Sequence, residues 1–196
     1  VKILAVDLAA KYSASCVMDD AGRVYEQNDS WGRTEKQFLD LITSPWMQTN
    51  PPDLMVVEDL PHGVSYMTTT KAVCRLQGRI VERMDYLGSL SSVLFAAPIE
   101  WRRVYTGLER GTGAAAVVPV AEALGYTAPD LSHRILRAGD KAIARKVASD
   151  YCAAYLIAKW MIDRFNELGT FDVTGTARYG ATRSRKKQPV EKRTPG

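Results

Sequence analysis

Three acids stand where this chain could do chemistry. Val1-Lys2-Ile3-Leu4-Ala5-Val6-Asp7 is an apolar run that ends in a carboxylate, and Leu54-Met55-Val56-Val57 ends the same way, in Glu58-Asp59. Continuous Val/Ile/Leu runs of this length read as strands buried on both faces. Ligands of α/β sheets gather outside strand ends, so Asp7 and Glu58 can meet there. Asp150, on a late helical stretch, is the third acid. Carboxylate oxygens brought to one place suit a hard divalent cation. That chemistry points to metal-dependent work on phosphates, and to a nuclease. Asp59, next to Glu58, points to the opposite face of a strand and reads as a loop or cap residue.

The elements that must carry these acids follow from pattern. After the first strand, Ser13 to Met18 reads as a second. Asp19-Asp20-Ala21-Gly22 makes a turn, and Arg23-Val24-Tyr25-Glu26 starts a third strand back. Thr34 to Met47 has Phe38, Leu41 and Ile42 at helical spacing and stops before Asn50-Pro51-Pro52. Leu54 to Glu58 is the fourth strand. A loop, Leu60 to Met67, leads to a helix whose apolar residues Ala72, Val73, Leu76, Ile80, Val81 and Met84 recur at threes and fours. Ser92 to Ala97 is a fifth strand ending at Pro98. A short helix follows around Glu100 to Tyr105, then a helix over Ala114 to Leu124, weakened by Pro119. Tyr126 to Ala138 reads as loop. Asp140 can cap a long helix running to about Leu168. The expected fold class is α/β: a mixed five-stranded sheet, its first three strands antiparallel, flanked by helices.

Composition sets the frame. At 196 residues and 46% hydrophobic content the chain is long enough for one domain with a full core. No apolar stretch reaches the roughly 18–20 residues of a membrane span, and the first residues enter a strand rather than a secretory leader. The expected location is therefore cytoplasmic. Cys16, Cys74 and Cys152 lie in apolar contexts without metal-ligand spacing and read as buried free thiols.

The net charge of +4 is unevenly spread. From Thr176 onward there are seven Lys/Arg, including Arg183, Arg185, Lys186 and Lys187, against one acid, while the other 175 residues carry nineteen basic and twenty-one acidic groups. Residues 171–196 therefore read as a basic tail, disordered alone and attracted to polyanions, after a domain over residues 1–170. On the helix after Glu58, Lys71, Arg75 and Arg79 recur every four residues and share a face. They are candidates for phosphate contacts, as are Arg102 and Arg103.

The order of elements and the placing of the acids are those of the ribonuclease-H-like fold. Within it the chain resembles the RuvC family of Holliday junction resolvases, over Val1 to about Ala158, and looks like a bacteriophage-type member. The opening strand with Asp7, the strand end Val57-Glu58-Asp59-Leu60, the helix segment Ala72 to Arg79, the Pro98 to Gly107 connector and the helix Asp150 to Ala158 carry the likeness. Two departures stand out. The family's last helix offers two metal-facing groups three residues apart; here Asp150 has either Ala153 or Val147 in the other position. The family's Asp-Pro-Gly turn is Asp7-Leu8-Ala9. Lys146, one turn before Asp150 on the same face, could give electrostatic support in place of the lost ligand.

The resemblance implies a structure-selective endonuclease that resolves four-way DNA junctions by paired symmetric nicks. It implies Mg²⁺ or Mn²⁺, two ions per active site, with Asp7 bridging both, Glu58 holding one and Asp150 the other. It further implies a homodimer, since a two-fold junction needs two opposed cuts. The loop after Glu58 would enter the junction, with Tyr66, Met67 or His62 stacking near the crossover. A broader branched-DNA and flap nuclease of the same fold, or an inactive junction-binding protein, are the alternatives. An actin-like ATPase, whose Asp-bearing first strand is similar, lacks here a Gly-rich phosphate turn and a duplicated half.

Overall fold

In the computed structural model, residues 1–9, 13–25, 35–45, 49, 51–60, 67–87, 93–107, 113–130 and 141–171 are described. Side-chain parity organises them. On β1 (Lys2–Asp7), Ile3 and Ala5 belong to one apolar cluster and Leu4 and Val6 to the other; on β4 (Leu54–Glu58), Leu54 and Val56 join the first and Met55 and Val57 the second. Each strand thus buries both faces, which is why the runs are continuously apolar rather than alternating. The two strands pair in parallel with Val6 opposite Val57, and Asp7 and Glu58 are the next residue of each. Both acids fall on the parity of Ile3, Ala5, Leu54 and Val56, facing the first cluster.

Among the described residues the sheet has five strands in the order β3-β2-β1-β4-β5, with β2 at Ala14–Asp19, β3 at Val24–Tyr25 and β5 at Val93–Ala96. β1–β2 and β2–β3 are antiparallel, while β1–β4 and β4–β5 are parallel. This is the ribonuclease-H-like arrangement expected from the sequence. On one side lie α1 (Glu35–Ile42) and α2 (Met67–Leu87), which bring Phe38, Leu39, Val73, Leu76, Ile80 and Met84 to the second cluster. On the other side α5 (Lys141–Leu168) crosses β1 and β2 and packs on α4 (Gly113–Ala123). From Asp150 to Ala158 every α5 residue is buried. A helix apolar all round in this way belongs in the interior, so the position of Asp150 is held by the core itself.

Several boundaries differ from expectation, each for a local reason. α1 ends at Ile42, not Met47, because Pro45 disfavours helical backbone at the residue before it. The Thr43 hydroxyl donates to the Leu39 carbonyl at 2.9 Å and closes the end. Val81 is 41% exposed rather than core; it lies about 100° around the helix from Ile80, off the stripe. α3 runs over Pro98–Thr106, longer than expected, with Pro98 in its first turn and Gly107 in the left-handed conformation (φ 65°) ending it. α4 forms despite Pro119, which sits on its exposed side. Trp160 lies in the core, while Phe165 is half-buried and stacks on Phe171 at 4.5 Å between ring centroids. Asp140 and residues 172–196 of the basic tail lie outside the described residues.

Cys74 is exposed, correcting the reading of three buried thiols, whereas Cys16 and Cys152 are buried. Burial pushes the Cys152 thiol up to about 11 and raises Cys16 further. In the native protein at pH 8, a thiol reagent such as DTNB is therefore expected to titrate one cysteine within minutes and three only after denaturation. Three fast thiols in the native state would contradict this packing.

Candidate active site

The strand ends bring Asp7 and Glu58 into contact. Their carboxyls hydrogen-bond to one another, and Asp150 approaches closely enough for its charge to act on Asp7. Glu58 and Asp150 are 8% and 7% exposed, so these charges are largely out of water. Burial, then the charge and hydrogen bond of Glu58, then the charge of Asp150, push the Asp7 carboxyl well above the usual carboxylate range; Lys146 pulls it down. Like charges this close do not both ionise without a counter-cation.

Two chain cations sit on the other acids. Lys146 Nζ lies 2.9 and 3.1 Å from the two oxygens of Asp150, one helical turn apart on α5. The Arg102 guanidinium donates to Glu58 Oε1 at 3.1 Å, and the Trp101 indole N–H donates to the same oxygen at 3.2 Å. Trp101 is completely buried, so its N–H is a fixed point for Glu58. The turn leaving Asp7 is closed by Ser13, whose Oγ accepts from Ala9 N at 3.3 Å and donates to Ala9 O at 3.2 Å. Val147 and Ala153, one turn either side of Asp150, are both buried in the apolar core and offer no further ligand.

The donor set is all carboxylate oxygen, and the repulsion that raises Asp7 is the kind a divalent cation relieves. Among the described residues no three His, Cys, Asp or Glu side chains converge on one ion position. Mg²⁺ does not need three, because it keeps waters and is commonly held by one or two carboxylates plus substrate phosphate oxygens. Asp7 and Glu58 therefore fit such an ion, with the charge of Asp150 close by.

The other expected residues are placed as follows. Arg102 is at the acids themselves. Arg103 is exposed on α3. Lys71, Arg75 and Arg79 are exposed along α2, with Arg75 paired to Glu35 of α1 at 3.0 Å and Arg79 to the same carboxylate. Asp59 accepts from Leu60 N at 2.7 Å and from Gln77 Nε2 at 3.3 Å, as a loop acid on the α2 side of the sheet. Met67 opens α2. His62, Tyr66, the Met67 side chain and Arg183, Arg185, Lys186 and Lys187 lie outside the described residues. Sequence reasoning missed Trp101, Ser13 and Glu35. A single Trp beside two arginines carries no signal that its N–H faces an acid forty-three residues away.

The chain has a ribonuclease-H-like fold with carboxylates at the ends of two neighbouring parallel strands and on the helix that packs across the sheet. Among solved structures the chain is similar to T. thermophilus RuvC in complex with Holliday junction substrate, with a TM-score of 0.56 and 14% identity over 86% of this chain and 96% of that one. It is similar also to the Thermus thermophilus RuvC structure, with a TM-score of 0.54 and 14% identity over 87% of this chain and 98% of that one. No protein-family model and no curated protein matches the sequence. The likeness is one of fold, spanning nearly the whole of the solved chains.

Proposed function

We propose that this protein is a metal-dependent endonuclease that resolves four-way DNA junctions by paired nicks. The observation that carries the reading is the contact of Asp7 with Glu58 at two strand ends, with the charge of Asp150 acting on Asp7 from a third element, within a fold that matches RuvC almost end to end. Asp7 and Glu58 would hold a Mg²⁺ or Mn²⁺, which would supply an activated water and neutralise charge on the phosphoryl oxygens. Water adds to phosphorus and the bond to the 3′ oxygen breaks. The proton lost by water is matched by one gained at that oxygen, leaving a 5′-phosphate and a 3′-hydroxyl.

The chain's own residues orient this. Trp101 fixes Glu58, and Asp7 sits between Glu58 and Asp150. Arg102 has one donor on Glu58, and its side chain is exposed enough (36%) to offer another to a phosphate oxygen. Lys71, Arg75, Arg79 and Arg103 hold the DNA backbone without reading sequence, with the basic tail adding salt-sensitive attraction. Tyr66 and Met67 stack near the crossover. A two-fold homodimer sets two such centres on opposed strands.

Glu35 tests the basic stripe. Its carboxylate holds both Arg75 and Arg79, which damps their attraction for phosphate. Glu35→Gln is expected to tighten linear-duplex binding about 3–10-fold at low salt and to steepen the salt dependence by about one phosphate contact. Stability should barely move, because the ion pairs are exposed. Anisotropy titrations across salt measure this, and an unchanged affinity would remove α2 from the DNA surface.

Labelled four-way junction, linear duplex and flap, each incubated with Mg²⁺, Mn²⁺ or EDTA, test the proposal as a whole. Cleavage confined to the junction and abolished by EDTA is expected. Equal cutting of flaps would point to the broader branched-DNA nuclease; tight junction binding with no cleavage in either metal would leave a binding protein.

A further inference from the structure

Charge at the acidic centre is unusual for a site expected to take two ions. Asp7, Glu58 and Asp150 contribute three carboxylates. Against them stand Lys146, paired to Asp150 at 2.9 Å, and Arg102, paired to Glu58 at 3.1 Å. Lys146 acts on Asp7 as well. The residues one turn either side of Asp150 that could have supplied a fourth acid are Val147 and Ala153, both in the core. Among the described residues the centre therefore carries a formal charge of −1. One dication brings it to +1, which the single negative charge of a phosphodiester cancels. A second dication would leave a net +2 with substrate bound, among side chains largely removed from water, where uncompensated charge is costly.

We propose that the centre binds one divalent cation per chain, on Asp7 and Glu58, and that the Lys146 ammonium on Asp150 stands in for the second. This deepens the nuclease reading and rests on it. An ammonium is a compact point charge on a flexible stem. From the exposed side of α5 it reaches the acids with its stem in solvent (the side chain is 51% exposed), so it can follow charge from the carboxylate to a phosphate oxygen. A second metal ion would need Asp150, and there it would meet the Lys146 ammonium, which contacts both carboxylate oxygens.

The test uses the full chain, stripped of metal, with Mn²⁺ as the probe, followed by electron paramagnetic resonance and calorimetry. Wild type is expected to bind one Mn²⁺ per chain, and Asp7→Asn to weaken that binding at least tenfold. Lys146→Met removes a neighbouring positive charge, so Mn²⁺ should bind at least threefold tighter while junction cleavage falls at least tenfold. That opposed pair of changes is not what a merely structural role would give. Two Mn²⁺ per wild-type chain, both lost in Asp7→Asn, would overturn the single-ion proposal and leave the nuclease reading intact. Lys146→Met with metal affinity and cleavage both unchanged would overturn it equally. Mn²⁺ binding indifferent to Asp7→Asn would overturn the acidic centre itself, and with it both readings. Should Lys146→Met fail to fold, the wild-type stoichiometry still decides.

Discussion

Asp7→Asn is expected to lower junction cleavage about 10³-fold or more while making the protein more stable. The first effect follows from position: Asp7 is the acid that both Glu58 and Asp150 act on, so it is the group that any bound cation must involve. The second follows from the same contacts. Burial and two neighbouring carboxylates raise the Asp7 carboxyl in the folded state. An acid raised on folding is not a penalty below its unfolded range, where it is protonated in both states. Stability is then lost as the pH climbs from the ordinary aspartate range through the raised folded value. Asn never ionises and can still donate to Glu58. Its advantage should be absent in acid and present at neutral pH, on the order of 1–2 kcal/mol, or roughly 2–8 °C in melting temperature for a chain of this size. Melting curves at pH 4 and pH 7.5 in EDTA read this directly. Added Mg²⁺ should narrow the gap, since the cation relieves in wild type what Asn removes. A variant no more stable at pH 7.5 would mean that the carboxyls are not in contact.

Trp101→Ala should be the most damaging single change to the fold near the site. The indole is fully buried, and truncation of such a ring costs about 3–5 kcal/mol, a large share of a typical 5–15 kcal/mol stability. Trp101→Phe separates packing from the hydrogen bond. It keeps most of the volume and removes the donor at 3.2 Å from Glu58 Oε1, leaving that oxygen to Arg102 alone. A loss of about 1–3 kcal/mol is expected, with cleavage down about 3–30-fold and the Mg²⁺ needed for half-maximal rate raised. Trp101→Phe with wild-type metal dependence would reduce Trp101 to a packing residue.

Much of this site was legible because β1 and β4 obey simple rules. Their apolar runs required burial on both faces, and a period of two then fixed where Asp7 and Glu58 point once the strands were paired. Asp150 was legible because the stretch after it is apolar at nearly every position, and such a helix has only the interior to go to. The cations were only half legible. Spacing put Lys146 on the face of Asp150, and the 2.9 Å pair bears that placement out. For Arg102, positive charge suggested DNA, and nothing local announced a partner on another element. Glu35 was hidden for the same reason, since its contacts to Arg75 and Arg79 are forty and more residues distant. Trp101 was hidden because a buried tryptophan looks alike in sequence whether or not its N–H is in use. The misplaced end of α1 had a visible cause in Pro45. The exposure of Cys74 and Val81 was decided by a few tens of degrees around α2, finer than an apolar tally resolves.

Paired nicking by two such centres on one junction is what the proposed function requires above all. The most direct measurement labels each of the four strands of a synthetic junction in turn and maps every nick to the nucleotide, with Mg²⁺ present. The result expected is nicks at symmetry-related positions on one opposed pair of strands in the same molecule, giving two linear duplexes that DNA ligase reseals. Single nicks scattered over all four strands, without pairing and without resealable products, would contradict it.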